Sequence, residues 1–177
     1  MNIFYLDSSP EQCAVWMVDK HVIKMILESC QLLSTAHRVL DGIQYEGSTK
    51  TGRKAKRWFL PDAREEHVYS ATHINHPSAV WTRQSVENYN WLVEHTFALM
   101  NEFQYRYGKR HKCHEVMYYL QSPPYNLREY DMTLMPSAMA DEYKISFDPI
   151  INYRNYYRLG KKHLHSWSHR QPPEWIY

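Results

Sequence analysis

Residues 19–40 read DKHVIKMILESCQLLSTAHRVL, followed by Asp41-Gly42. At 100° per residue this is a helix, with Asp19 placed to cap its start and Asp41-Gly42 to stop it. His21, Lys24, Glu28, Gln31 and Thr35 fall in one narrow stripe. The rest of the circumference carries Val22, Ile23, Met25, Ile26, Leu27, Cys30, Leu32, Leu33 and Ala36. A helix this apolar is buried on most sides, so the fold is built around it. Its polar stripe must line a cleft or a hydrogen-bonded interior network, because an unpaired buried charge costs several kcal/mol.

Other helix signals flank this one. Ser9-Pro10-Glu11 starts a short helix, with serine as cap and proline in the first turn. Ser78, after His76-Pro77, opens a long pattern with Trp81, Leu92, Leu99 and Phe103 on one face, ending at Gly108. Pro123-Pro124 breaks the chain, residues 123–136 read as irregular, and a short helix is expected after Ser137. Asp148-Pro149 caps a last helix that ends at Gly160. Residues 43–60 are polar and glycine-containing and read as a mobile basic loop. No segment sustains a period-two alternation. The expected fold is mainly α: a single compact helical domain over residues 1–177 with little or no sheet, a basic loop at about 43–60, and an aromatic-basic tail at 149–177.

Composition narrows the function classes. The 177 residues make one domain, and 44% hydrophobic with 23% charged residues excludes a disordered chain. The longest apolar run, Cys13 to Val18, is far short of the roughly 18 residues of a membrane span, and no basic-then-apolar leader opens the chain. Cysteines at 13, 30 and 113 show no framework spacing and read as reduced thiols. A cytoplasmic monomer without membrane contact is expected. The net charge is only +2, but it is uneven. Lys50, Arg53, Lys54, Lys56 and Arg57 form a run without an acid, and five cations follow Ile151 against Glu174 alone.

The tail sequence from Tyr153 to Lys162 interleaves Tyr153, Tyr156 and Tyr157 with Arg154, Arg158, Lys161 and Lys162. Rings stack on bases and cations neutralise phosphates, so this composition points to nucleic acid. The alternative is that two of the tyrosines anchor the helix while the cations stay solvated. On the central helix, a carboxylate flanked by an ammonium and an imidazole suits acid/base or electrostatic work. A solvated Lys24–Glu28 pair, worth a few tenths of a kcal/mol, is the competing account. Asn88, His95, Glu102 and Arg106 make a second polar row, with His73 and His76 just upstream. His111-Lys112-Cys113-His114 has metal-ligand residue types but no spaced second pair, so no metal site is assigned. No glycine-rich phosphate loop, GxSxG, HExxH or kinase signature is present, and no cofactor is expected.

Taken in order along the chain, three pieces resemble the pyrimidine-dimer DNA glycosylases of the phage endonuclease V type and their bacterial relatives. They are Asp19-x-His21-x6-Glu28 near an N-terminal methionine, His76-Pro77-x3-Trp81 entering a helix that ends Arg106-x-Gly108, and Tyr156-Tyr157 followed by Gly160-Lys161. The resemblance implies an all-α repair enzyme that binds duplex DNA and flips a nucleotide out. It implies removal of a damaged pyrimidine by an amine that forms a Schiff base at C1′, and then strand breakage by β-elimination. That family uses its N-terminal α-amine, and a glutamate matching Glu28. Asn2 is too bulky for usual methionine removal, which leaves Met1 as the nucleophile. Where the family usually has arginine just before the glutamate, this chain has Leu27.

General chemistry agrees with an N-terminal nucleophile. An α-amine has an ordinary pKa of about 7.7–8, against about 10.4 for lysine, so a useful fraction is unprotonated at neutral pH. The expected catalytic group is Met1, Glu28, His21 and Lys24, with His21 and Lys24 orienting the site or contacting phosphate. The expected DNA contacts are Lys54, Arg57, Arg154, Tyr156, Tyr157 and Lys161. Two other readings stay open: an enzyme acting on a nucleotide or modified base without strand cleavage, and a non-enzymatic DNA-binding protein.

Overall fold

The computed structural model describes residues 1–49 and 51–177. Among these, seven α-helices and one two-stranded sheet make a mainly α fold. Helix α1 spans Pro10–Trp16, and the Ser9 hydroxyl accepts the Gln12 N–H at its start. Helix α2 spans Asp19–Asp41. It packs chiefly against α5 (Val86–Tyr107), with α4 (Pro77–Thr82) and α6 (His114–Leu120) completing its surround. Helix α3 (Arg64–His67) is a single turn. Helix α7 (Pro149–Gly160) begins where Asp148 accepts the Ile150 N–H, as its sequence predicts.

Burial on α2 follows the periodicity. Val22, Met25, Ile26, Leu32 and Leu33 are in the core, while Ile23 and Leu27 remain exposed on one strip beside Lys20 and Lys24. The extended N-terminal segment Ile3–Leu6 is also buried, threaded beneath α7 against Tyr153 and Tyr157. Phe4 has φ of 59°, a backbone costly for a side-chain-bearing residue. Stacking of its ring on His21, with centroids 4.2 Å apart, accompanies that bend.

The second polar row is a structural network. The Arg106 guanidinium, wholly inaccessible, donates to Glu102 Oε1 (2.7 Å), Asp19 Oδ1 (2.9 Å) and the carbonyls of Met17 and Val15. Arg170 closes the other side of Glu102, and Asn88 binds Trp81 O and Thr133. These bonds satisfy charges that burial would otherwise make expensive.

Four expectations about the elements need correction. Residues 43–60 form a hairpin, β1 (Ile43–Ser48) against β2 (Lys54–Phe59), and not a loop. Both faces of the hairpin are largely solvated, so no hydrophobic alternation marks it; Trp58 alone is buried. Arg38 of α2 holds its base, donating to Trp58 O and Glu65. Lys50, in the basic run, lies outside the described residues. The pattern from Ser78 to Gly108 is two helices, α4 and α5, because Ser85 caps a fresh start by accepting the Asn88 N–H. After Ser137 there is only a 3-10 turn at Asp141–Tyr143. Asp19 is also the first helical residue and not the cap, which is Val18.

Candidate active site

The N-terminus meets the middle of α2. The Met1 nitrogen lies 3.7 Å from Glu28 Oε2, and the Asn2 N–H donates to the same oxygen at 3.0 Å. Lys24, one turn earlier, brings Nζ within 3.2 Å of Oε1. Thus each carboxylate oxygen faces a nitrogen. The Glu28 side chain is 12% exposed whereas that of Lys24 is 68% exposed, so the lysine spans from the acid to solvent.

Asn2 fixes this geometry. Its amide donates to Ala138 O (2.8 Å), and its Oδ1 accepts the Ile3 N–H (2.8 Å) and the Tyr153 hydroxyl (3.0 Å). Tyr153 is itself fully buried and accepts the Ala138 N–H. The first two residues are therefore tied to α2, to α7 and to the 136–139 segment at once. Neither Asn2 nor Tyr153 was singled out as a site residue from sequence. The i,i+4 spacing of Tyr153 and Tyr157 places both on one face of the helix, but Arg154 and Arg158 share that spacing, so it does not mark which face is covered.

His76 joins the group from another direction. Thr35 on α2 accepts the Thr72 N–H (3.1 Å) and Ser34 the Tyr69 N–H (3.2 Å), which lays the 69–76 segment along the helix. His76 Nδ1 accepts the Ser78 N–H at 3.2 Å. Burial, then the charge of the Met1 amine and of His73, holds the His76 pKa below its ordinary value, while Glu28 pulls it upward. A largely neutral imidazole therefore sits within the field of the amine and the acid.

His21 is not a surface contact. It is buried, its Nδ1 is 2.5 Å from the Tyr157 hydroxyl, and its ring stacks on Phe4. Burial, with the positive charges of Lys161, Lys24 and His163, pushes its pKa down to about 3. Phosphate contact by His21 is excluded by this burial; it supports Phe4 beneath the N-terminus. Tyr157 is likewise corrected: it is fully buried and contacts no solvent. Arg154 turns inward, donating to Leu6 O (2.8 Å) and Asp7 (3.1 Å) with its guanidinium between Trp16 and Trp175.

The other sequence-selected cations and rings remain at the surface. Tyr156 is half-buried, and Lys161 Nζ lies 4.8 Å from its ring centroid. Lys54 is exposed at the start of β2, and Arg57 donates across the hairpin to Ser48 O. These two belong to the hairpin beyond the C-terminal end of α2, roughly 20 Å along the helix from Glu28 at 1.5 Å per residue. Among the described residues, no three His, Cys, Asp or Glu side chains converge to hold a metal ion. No helix there is long and apolar enough to cross a membrane.

No known family model, curated protein or solved structure matches this chain. The chemistry of the site has to be read from its own groups. An amine and a carboxylate held 3.7 Å apart combine a nucleophile with a group that stabilises positive charge and moves protons. Asn2, held in turn by Tyr153, orients the pair.

Proposed function

We propose that this chain is a DNA glycosylase with abasic-site lyase activity on damaged or modified pyrimidines, a divergent relative of the pyrimidine-dimer glycosylases. The observation that carries the reading is the Met1 nitrogen at 3.7 Å from Glu28 Oε2. In the reaction, the unprotonated amine attacks C1′ of a nucleotide turned out of the duplex. The C1′–N bond to the base breaks, and the base leaves with its electron pair and takes up a proton. Opening of the C1′–O4′ bond gives the Schiff base. Loss of a C2′ proton then expels the 3′ phosphate and cuts the strand. Glu28 stabilises the cationic sugar and carries protons between these steps. Lys24 offers a cation to the adjacent phosphate.

The test is borohydride trapping on duplexes carrying a pyrimidine dimer, an abasic site or an oxidised pyrimidine. A covalent adduct on Met1, lost on N-terminal acetylation and in Glu28→Gln, is expected. Absence of any adduct on all three substrates removes the lyase. One observation favours a second reading: Glu28 accepts the Asn2 N–H at 3.0 Å, as an anchor of the N-terminal segment would. In a non-enzymatic DNA-binding protein, Glu28→Gln lowers thermal stability and leaves DNA affinity intact. An enzyme loses turnover with stability held.

A further inference from the structure

A groove of about 690 Å³ runs beside α2, along Ile23, Lys24 and Leu27. Its walls include Lys24, Tyr69, Tyr107, Lys109, Arg110 and Lys112. Among the described residues, no acidic side chain lines it. By helix geometry Lys24 stands between the stripe that carries Glu28 and the strip that carries Ile23 and Leu27, so one side chain borders both the acid and the groove. Beyond Lys112 a neighbouring depression is edged by Glu66 and Glu115, which sets an electrostatic limit at that end.

We propose that this groove carries the DNA strand beside the reacting nucleotide, with its phosphates on Lys24, Lys109, Arg110 and Lys112 and its sugars and bases against Tyr69 and Tyr107. This rests on the DNA reading above. Lys109, Arg110 and Lys112 are exposed and none pairs with a carboxylate among the described residues, as cations free to displace counterions should be. The left-handed Gly108, with φ of 66°, ends α5 and turns this run of cations along the groove wall. Tyr157, which composition alone would choose for DNA, is buried, and Arg154, still 31% exposed, is held on Leu6 O and Asp7. The strand thus passes from the Met1–Glu28 pair across Lys24 toward Lys112 and stops short of Glu66 and Glu115.

Binding of fluorescein-labelled abasic-site duplex, followed by anisotropy across a salt series, tests this. The full chain is compared with Lys109→Gln/Arg110→Gln/Lys112→Gln and with the hairpin variant Arg53→Gln/Lys54→Gln/Lys56→Gln, which removes the same charge elsewhere. The groove variant is expected to flatten the slope of log K against log salt by about 2–3, from roughly 0.9 per lost phosphate contact, and the hairpin variant by less. The DNA concentration that half-saturates trapping is expected to shift upward in the groove variant and by less in the hairpin variant. Equal or smaller slope loss than in the hairpin variant overturns the groove, as does absence of DNA binding by the wild type. If the groove variant alone loses slope but no chain is trapped, the groove stands and the glycosylase falls. Trapping with an unchanged slope has the opposite meaning.

Discussion

Replacing Tyr153 by phenylalanine removes one oxygen and leaves the ring that fills the core. That hydroxyl lies 3.0 Å from Asn2 Oδ1 and 2.9 Å from Pro136 O, and it accepts the Ala138 N–H. Its proton is shared between two acceptors, so the loss is not three full hydrogen bonds. With about 0.5–1.5 kcal/mol per net bond, and Ala138 N–H also near Pro136 O, the change costs about 1–2 kcal/mol. For a chain of this size that lowers Tm by roughly 2–8 °C. The larger effect is on the nucleophile. Asn2 is the residue that holds Met1 against Glu28, and a shift of about 1 Å in a reacting group lowers rates by as much as 100-fold. Differential scanning fluorimetry reads the first effect; borohydride trapping under single-turnover conditions reads the second. A trapping rate at least 10-fold slower, with DNA affinity unchanged, is expected. A lowered Tm with an unaltered trapping rate would refute the positioning argument, and an unmoved Tm would refute the anchor itself.

Three other predictions concern the same scaffold. Burial pushes the pKa of His21 to about 3 and of His37 and His95 to about 4, with Lys161 and Lys24 adding to it at His21 and Arg64 at His37. The unfolded chain therefore binds protons before the folded one does: stability is whole above about pH 6.5 and falls below it, by up to about 1.4 kcal/mol per pH unit for each ring. Urea titrations at pH 7.5, 6 and 5 check this, and a flat profile contradicts it. Arg106→Met leaves Glu102 with Arg170 alone and Asp19 with Ser166 and Ser168, and should cost about 1.5–3 kcal/mol in the same titration. A loss below 1 kcal/mol would mean the network carries little. A single glycine added before Met1 should abolish trapping while DNA binding persists; an adduct formed at the wild-type rate would assign the nucleophile elsewhere.

Local chemistry made several elements readable. Helix α7 begins and ends where Asp148-Pro149 and Gly160 say, because capping and proline geometry act within a few residues. Helix α2 is legible over its whole length because its apolar surround is continuous. The hairpin was not, since a strand pair solvated on both faces has no alternation to detect. The break at Ser85 was hidden because the apolar stripe continues across it in α4 and α5. In the tail, Tyr157 and Arg154 were expected on DNA; Tyr153 and Tyr157 instead anchor the helix, as the alternative reading had it, and Arg154, partly exposed, is held on Leu6 O and Asp7, because composition says nothing about which face of a helix is covered.

The resemblance to the pyrimidine-dimer glycosylases suggested that Met1 and Glu28 work together; the residues themselves pointed to a mainly helical chain and to the central helix with its His21–Lys24–Glu28 stripe. Residue types and spacings up to about one helical turn carry that much information. Only the tertiary structure decided that Asn2, 26 positions from Glu28, bonds to it and brings the Met1 nitrogen within 3.7 Å, that Tyr153 holds Asn2 so, and that Lys109, Arg110 and Lys112 share a groove with Lys24. Those relations depend on how the N-terminal segment, α2, α5 and α7 pack, and packing joins parts of a chain that no local pattern connects.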